Sequence, residues 1–222
     1  MPEVAEDADG KGLMNVAIFG ATGQLGRHVT EQALAAGAQV TAFTRHPDNL
    51  DIDHPELRCV AGEISAAEAV AAAVVGTDAV IVTIGSGKSR KNTVRSDCTR
   101  NVIDAMHRHG VKRLIVQTTL GCQETWENLN FLWKRVMFGA LIRPVFLDHE
   151  VQEQLTQSSG LDWTIVRPSA FREEPTDDEL RIGFPPSESG LKLTVAKSEV
   201  ARFIVDQLED RTFVNQAVSI SR

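Results

Sequence analysis

The chain contains no tyrosine. No phenol is available to donate or relay a proton, which removes one of the usual general acids from any chemistry the protein performs. Cysteine is scarce as well. Cys59, Cys98 and Cys122 are widely spaced and form neither a metal-type pair nor a disulfide framework, so a reducing cytosol and no bound metal are expected. Positive charge is not in excess. A formal net charge of −7 argues against a general nucleic-acid binder. Long apolar runs are missing too. Residues 1–13 carry Glu3, Glu6, Asp7 and Asp9 and lack the apolar centre of a signal peptide, so they are expected to be a flexible acidic tail. The most apolar later stretch, Phe131–Ile142, is interrupted by Lys134 and Arg135 and is too short to span a bilayer, so no membrane insertion is expected.

What the chain does have is glycine in a telling place. Residues 15–26 read Asn-Val-Ala-Ile-Phe-Gly-Ala-Thr-Gly-Gln-Leu-Gly, a short apolar run that ends in Gly20, Gly23 and Gly26 and passes straight into a helix-like stretch. A buried strand followed by a tight turn and a helix N-terminus is the arrangement that cradles a dinucleotide pyrophosphate. The spacing differs by one residue in its first gap from the commoner G-x-G-x-x-G pattern.

Strand and helix signals alternate along most of the chain. Strands are predicted at Asn15–Gly20, Gln39–Phe43, Leu57–Ala61, Asp78–Ile84, Arg113–Gln117 and Trp163–Val166. Helices are predicted at Gln24–Ala36, Ala66–Val75, Asn92–His109 and Val145–Ser158, with Gly37, Gly76, Gly110 and Gly160 just beyond their ends. β-Branched strands alternating with helices predict a Rossmann-type α/β fold: one doubly wound, mainly parallel sheet with helices on both faces, in a single domain over residues 14–222. Segments 122–144 and 167–191 leave the carboxyl ends of strands and are the expected walls of a substrate pocket. The aromatics Trp126, Phe131, Trp133 and Phe138, with Met137, suit either a stacking wall or an amphipathic packing helix. Glu173, Glu174, Asp177, Asp178 and Glu179 form a charge run expected to be a solvated face or lid.

The second strand ends Val40-Thr-Ala-Phe-Thr44-Arg45 with no acid at its tip. An acid there would bind ribose hydroxyls, whereas Arg suits a 2′-phosphate. NADPH is therefore expected over NADH.

With Val16–Gly26, Thr44-Arg45, Gly62-Glu63-Ile64, Thr83-Ile84-Gly85, Gly110-Val-Lys-Arg-Leu-Ile115 and Gly160-Leu-Asp-Trp-Thr-Ile-Val-Arg-Pro168, the chain resembles the atypical short-chain dehydrogenase/reductases. Within them it is most similar to the NAD(P)H-binding family that includes biliverdin-IXβ reductase, also known as flavin reductase. The resemblance covers about residues 14–222. It implies that Gly20, Thr22, Gly23, Gln24 and Leu25 hold the pyrophosphate, Arg45 the 2′-phosphate, and Glu63 and Ile64 the adenine. Thr83, Ile84 and Gly85 would pass beneath the adenosine ribose, and Thr118 and Thr119 would end the fifth strand near the nicotinamide. Pro168, Ser169, Ala170 and Phe171 would border nicotinamide and substrate.

Most short-chain dehydrogenases use a Tyr-x-x-x-Lys pair; counting back from Gly160, those positions are Val145 and His149 here. The usual proton relay for carbonyls and alcohols is absent. Flavins, quinones and linear tetrapyrroles accept hydride at a conjugated centre and tolerate that loss. The expected function is thus an NADPH-dependent reductase of such a small acceptor, working as a monomer or homodimer, with Thr119 and His149 as the candidate catalytic side chains. Asp148 and Glu150 are expected to raise the pKa of His149. The alternative is a non-catalytic NAD(P)H-binding redox sensor resembling the NmrA-like regulators. An epimerase lacks its proton donor, and no nucleophile elbow supports a hydrolase.

Overall fold

The computed structural model describes residues 14–85 and 93–222. The predicted acidic tail, 1–13, and the predicted helix start at Asn92 lie outside the described residues.

The first strand, β1 (Asn15–Phe19), lies at the centre of the sheet and alternates strictly between its two faces. Val16 and Ile18 join one apolar cluster, Ala17 and Phe19 the other. It pairs in parallel with β2 (Gln39–Thr44) on one side and β4 (Ala79–Val82) on the other. β3 (Leu57–Ala61) flanks β2, while β5 (Arg113–Gln117), β6 (Asp162–Pro168), β10 (Gln216–Ser221) and β8 (Arg181–Ile182) extend the far side. The order is therefore β3-β2-β1-β4-β5-β6-β10-β8, parallel throughout except for β8. A small second sheet pairs β7 (Ala170–Arg172) with β9 (Thr194–Ala196).

Helices cover both faces, as strands buried on both sides require. On one, Val29 and Ala33 of α1 (Gln24–Ala35) pack with Val200, Ala201 and Ile204 of α5 (Lys197–Asp206) over Val16, Ile18 and Val40. On the other, α2 (Ala67–Val74) and α3 (Val94–His109) place Val70, Val74, Val102 and Met106 over Ala17, Phe19 and Val80. α4 (Arg143–Gln157) lies beside α3 on that face. The sheet order reverses between β1 and β4, the place where such folds open a ligand crevice.

The expected fold is present, with shifts at element ends that have local causes. β4 ends at Val82, and the Thr83 N–H still donates to the Phe19 carbonyl at 2.9 Å, carrying the pairing with β1 one bond further. α4 begins at Arg143 rather than Val145, since Pro144 sits in the first turn, where its missing N–H costs nothing. β6 runs on to Pro168 because β10 pairs alongside it. The segment 122–144 is not an open loop. It holds a 3₁₀ turn, Gln123–Asn128, and a π-helix, Leu132–Leu141.

Candidate active site

Gly20 leaves β1 at φ +100°, where a Cβ would meet the Thr83 backbone at 2.8 Å, so only glycine lets the two strand ends touch. Its carbonyl accepts the Gly23 N–H at 2.8 Å to close the turn. A Cβ on Gly26 would fall on the same carbonyl oxygen, so α1 seats against the loop only without one. The first turn of α1 has no side-chain cap and no acidic residue. Its leading N–H groups and its dipole are left for an anion.

Around this turn lies a cavity of about 280 Å³, lined by Gly20, Thr22, Gly23, Thr44, Arg45, His46, Asn49, Gly62, Ile64, Ile84 and Gly85, with Phe43 at its base. Arg45 is exposed and makes no hydrogen bond or ion pair with the described residues, so its guanidinium is available. Asn101 donates to the Ile64 carbonyl at 2.6 Å and fixes that wall. Some expected residues fall outside the cavity. Glu63 points to solvent, leaving its neighbours Gly62 and Ile64 to line the space. Leu25 is 5 % exposed and belongs to the core, and Gln24 does not line the cavity, so each has only its backbone N–H to offer. Thr83 lies beneath, its hydroxyl 3.4 Å from the Phe19 carbonyl. No motif pointed to His46 and Asn49, which lie respectively beside and in a short 3₁₀ turn after β2.

Ile84 and Gly85 also line a second cavity of about 240 Å³, so the two spaces meet there. Its apolar walls include Leu120, Leu129, Trp133, Phe138, Ile142, Phe171 and Leu193, and its polar lining includes Thr118, Thr119, Ser169, Gln117, His149 and Arg95. Pro168 and Ala170 complete the set expected from sequence. Among the described residues, no carboxylate lines it. Trp126, Trp133, Phe138 and Phe146 pack together, with Phe138 and Phe146 stacked at 4.7 Å. The aromatic segment is thus both packed and wall-forming. Phe131, Leu132 and Leu141 point outward instead.

Thr118 and Thr119 divide their work. The Thr118 hydroxyl donates to Glu153 Oε1 at 2.7 Å, within a buried network in which Arg167 grips both Glu153 oxygens. Burial works against the Arg167 charge, but Glu153 and Glu124 override it and hold its pKa above the ordinary value. Thr119 is half-buried and makes only a long 3.3 Å contact to the Leu120 carbonyl, so its hydroxyl can serve a ligand.

His149 is the main correction to the sequence reading. Asp148 and Glu150 do not raise its pKa. Burial lowers it to about 3, with Arg95 adding repulsion and the Gln152 contact opposing both. Asp148 is turned away to cap α3, accepting from the Arg95 and Ser96 backbone and the Ser96 hydroxyl. Glu150 accepts from the Gln123 N–H at 2.9 Å. The Gln152 amide donates to Thr99 at 3.1 Å, so its oxygen takes the proton on His149 Nδ1, also at 3.1 Å. The imidazole is neutral, its one N–H is committed, and Nε2 is an acceptor.

A family model described as NAD(P)H-binding matches residues 20–211. The chain belongs to this NAD(P)H-binding family. A Bacillus subtilis relative named as an uncharacterized sugar epimerase, YhfK, is 26 % identical, covering 94 % of each chain. Among solved structures, ChuY from Escherichia coli O157:H7, described as an anaerobilin reductase, is 25 % identical with a TM-score of 0.75, covering 93 % of this chain and 96 % of that one. A wide-type short-chain dehydrogenase/reductase from Veillonella parvula, solved in complex with NADP, superposes with a TM-score of 0.76 at 19 % identity, covering 94 % of each chain. The chain shares the fold of these structures and is an NAD(P)H-binding Rossmann protein. Its phosphate turn fits the cofactor: the cradle at Gly20 and Gly26 has no room for a Cβ, and the α1 N-terminus has no internal anion.

Proposed function

We propose that the protein is an NADPH-dependent reductase of a small conjugated acceptor, of the flavin, quinone or linear tetrapyrrole class. The observation that carries this reading is the pair of cavities meeting at Ile84 and Gly85, one phosphate-binding in character, the other apolar and free of carboxylates. Bound in the first, NADPH supplies hydride from its nicotinamide.

The chain's own residues would bind, orient and exclude water. Gly20, Thr22 and Gly23, with the N–H groups of Gln24 and Leu25, take the pyrophosphate, and Arg45 the 2′-phosphate. Ile64, Ile84 and Gly85 shape the nucleoside path. Pro168, Ser169, Ala170 and Phe171 border the reacting end, and Thr119 donates a hydrogen bond to the acceptor. His149 offers Nε2 as an acceptor and orients without titrating near neutral pH. The absence of a Tyr-Lys pair is met by an acceptor that takes its proton from water. ChuY's reported action on a tetrapyrrole supports this acceptor class. The epimerase name of the Bacillus relative finds less support, because epimerisation needs an acid–base pair and the described cavity residues supply none.

Titration with NADPH and NADH, followed by NADPH oxidation with FMN, riboflavin and a simple quinone, tests the reading. Selective NADPH binding with turnover on at least one acceptor is expected. Tight NADPH binding without turnover on any would overturn it in favour of a redox sensor, a second reading supported by the outward face of Phe131, Leu132 and Leu141.

A further inference from the structure

Burying a guanidinium is costly unless its donors are used. Most buried cations here use them. Arg167 is held by Glu153 and Glu124, and Arg113 donates to the Gln207 and Asp162 carbonyls. Lys197 pairs with Glu173, and Arg222 with Glu199. Arg95 differs. It is 7 % exposed, its Nε has no partner among the described residues, and its ion pair to Asp148 Oδ2 is long, at 3.7 Å. Asp148 meanwhile directs both carboxylate oxygens at the α3 N-terminus, accepting from the Arg95 and Ser96 backbone and the Ser96 hydroxyl. Arg95 nonetheless lines the acceptor cavity and, with His149 neutral, is the cation among the described residues that line it.

We infer that Arg95 forms an anion subsite in this cavity and selects acceptors that carry a carboxylate or phosphate beside their conjugated ring system. The anion's oxygens would supply the partner that Nε lacks and pair with a guanidinium that Asp148 holds only at 3.7 Å. The apolar walls around Leu120, Trp133 and Phe138 take the ring system, and Arg95 fixes its end. No bond is made or broken at Arg95, so it is a specificity residue. The inference rests on the reductase reading, and the test separates the two.

Binding of FMN and riboflavin to the NADP⁺-loaded protein, followed by flavin fluorescence, compares a phosphate with its absence. A second pair, a naphthoquinone with and without a carboxylate side chain, does the same for carboxylate by competition. The anionic member of at least one pair should bind about 10–100-fold tighter, the range of a hydrogen bond to a charged group. Which pair discriminates identifies the anion. Arg95→Gln should erase the preference and Arg95→Lys should keep part of it, with NADPH affinity unchanged in both.

Equal binding within both pairs by the wild-type protein would overturn the subsite, and that comparison needs no variant to fold. So would a fall in NADPH affinity in Arg95→Gln, which would assign the guanidinium to a cofactor phosphate. Turnover that continues without discrimination removes this inference alone. Absence of both flavin binding and turnover on any acceptor removes the reductase reading with it.

Discussion

Arg167 on β6 and Glu153 on α4 meet in a two-pronged ion pair, Nε to Oε1 at 2.9 Å and Nη2 to Oε2 at 2.7 Å, with side-chain exposures of 1 % and 0 %. The same Glu153 oxygen receives the Thr118 hydroxyl, so the pair fixes the end of β5 as well. Removing one partner of such a pair strands a buried charge, at a cost of about 3–5 kcal/mol. Glu153→Gln should therefore lower Tm by about 6–20 °C for a domain of this size. Glu124, whose side chain is 56 % exposed, shares the guanidinium, but Glu124→Gln should cost no more than about 1 kcal/mol. Thermal unfolding of the two variants checks the contrast. Equal losses would mean that the buried pair is not the stabilising member.

Arg45 is the residue proposed to set cofactor preference. Arg45→Ala should weaken NADPH by about 1.5–3 kcal/mol, roughly 10–150-fold, the scale of a charge-assisted hydrogen bond. NADH should change little. Calorimetric titration with both cofactors decides it, and equal losses would remove Arg45 from the 2′-phosphate.

The glycines of the phosphate turn should not respond alike to alanine. At Gly23 a Cβ would meet the Gly20 carbonyl oxygen at 3.1 Å, a contact that small shifts relieve. At Gly26 it would coincide with that oxygen and with the Gly20 carbonyl carbon, forcing α1 away from the loop. Gly26→Ala should lose measurable NADPH binding and Tm, while Gly23→Ala keeps a weakened site. A Gly26→Ala protein that binds normally would contradict this seating of α1.

His149 should appear in the pH dependence of stability and not in that of turnover near neutrality. Its folded pKa is lowered to about 3 from an unfolded value near 6.5, chiefly by burial. Arg95 faces it from α3 and Gln152 from its own helix. Below 6.5 the unfolded chain takes up a proton that the folded chain refuses, so stability falls as pH falls. The loss is about 1 kcal/mol between pH 6.5 and 5.5 and grows until the folded group itself protonates. Urea unfolding of wild type and His149→Asn across that interval should show this extra slope in the wild type alone. A kcat limb near pH 6.5 that His149→Asn abolishes would show the imidazole titrating in the fold.

The sheet and phosphate turn were legible because their signals are local. Val16 to Phe19 alternate faces on a doubly buried strand, and Gly20, Gly23 and Gly26 sit at fixed offsets. Pro168 to Phe171 and Thr118 to Thr119 were named through resemblance, and the structure brings them together around one cavity. The charge state of His149 was not legible. Asp148 and Glu150 are its neighbours in sequence, but folding turns one to the α3 N-terminus and the other to Gln123. Arg95 was hidden for a similar reason. In sequence it is one polar residue in an amphipathic helix, and only the folded chain shows that its Nε is buried without a partner among the described residues. The strand β10 was missed although Gln-Ala-Val-Ser-Ile-Ser alternates, and α5 was missed although Glu199 reaches back to the Ala196 N–H.

That late strand has a consequence for how the protein folds. β10 covers the outer edge of β6 from Thr164 to Pro168, pairing residues far apart in the chain. Until Gln216–Ser221 arrive, β6 presents an open row of amide donors and carbonyls to any passing strand. Native pairing there must also bear the loop-closure entropy of the whole intervening segment, a feature that slows folding. The pairing of β1 with β4 also joins distant segments, Val16 with Ala79, so neither half of the sheet closes through local partners alone. What sets β6 apart is that its outer edge is covered only when β10 docks.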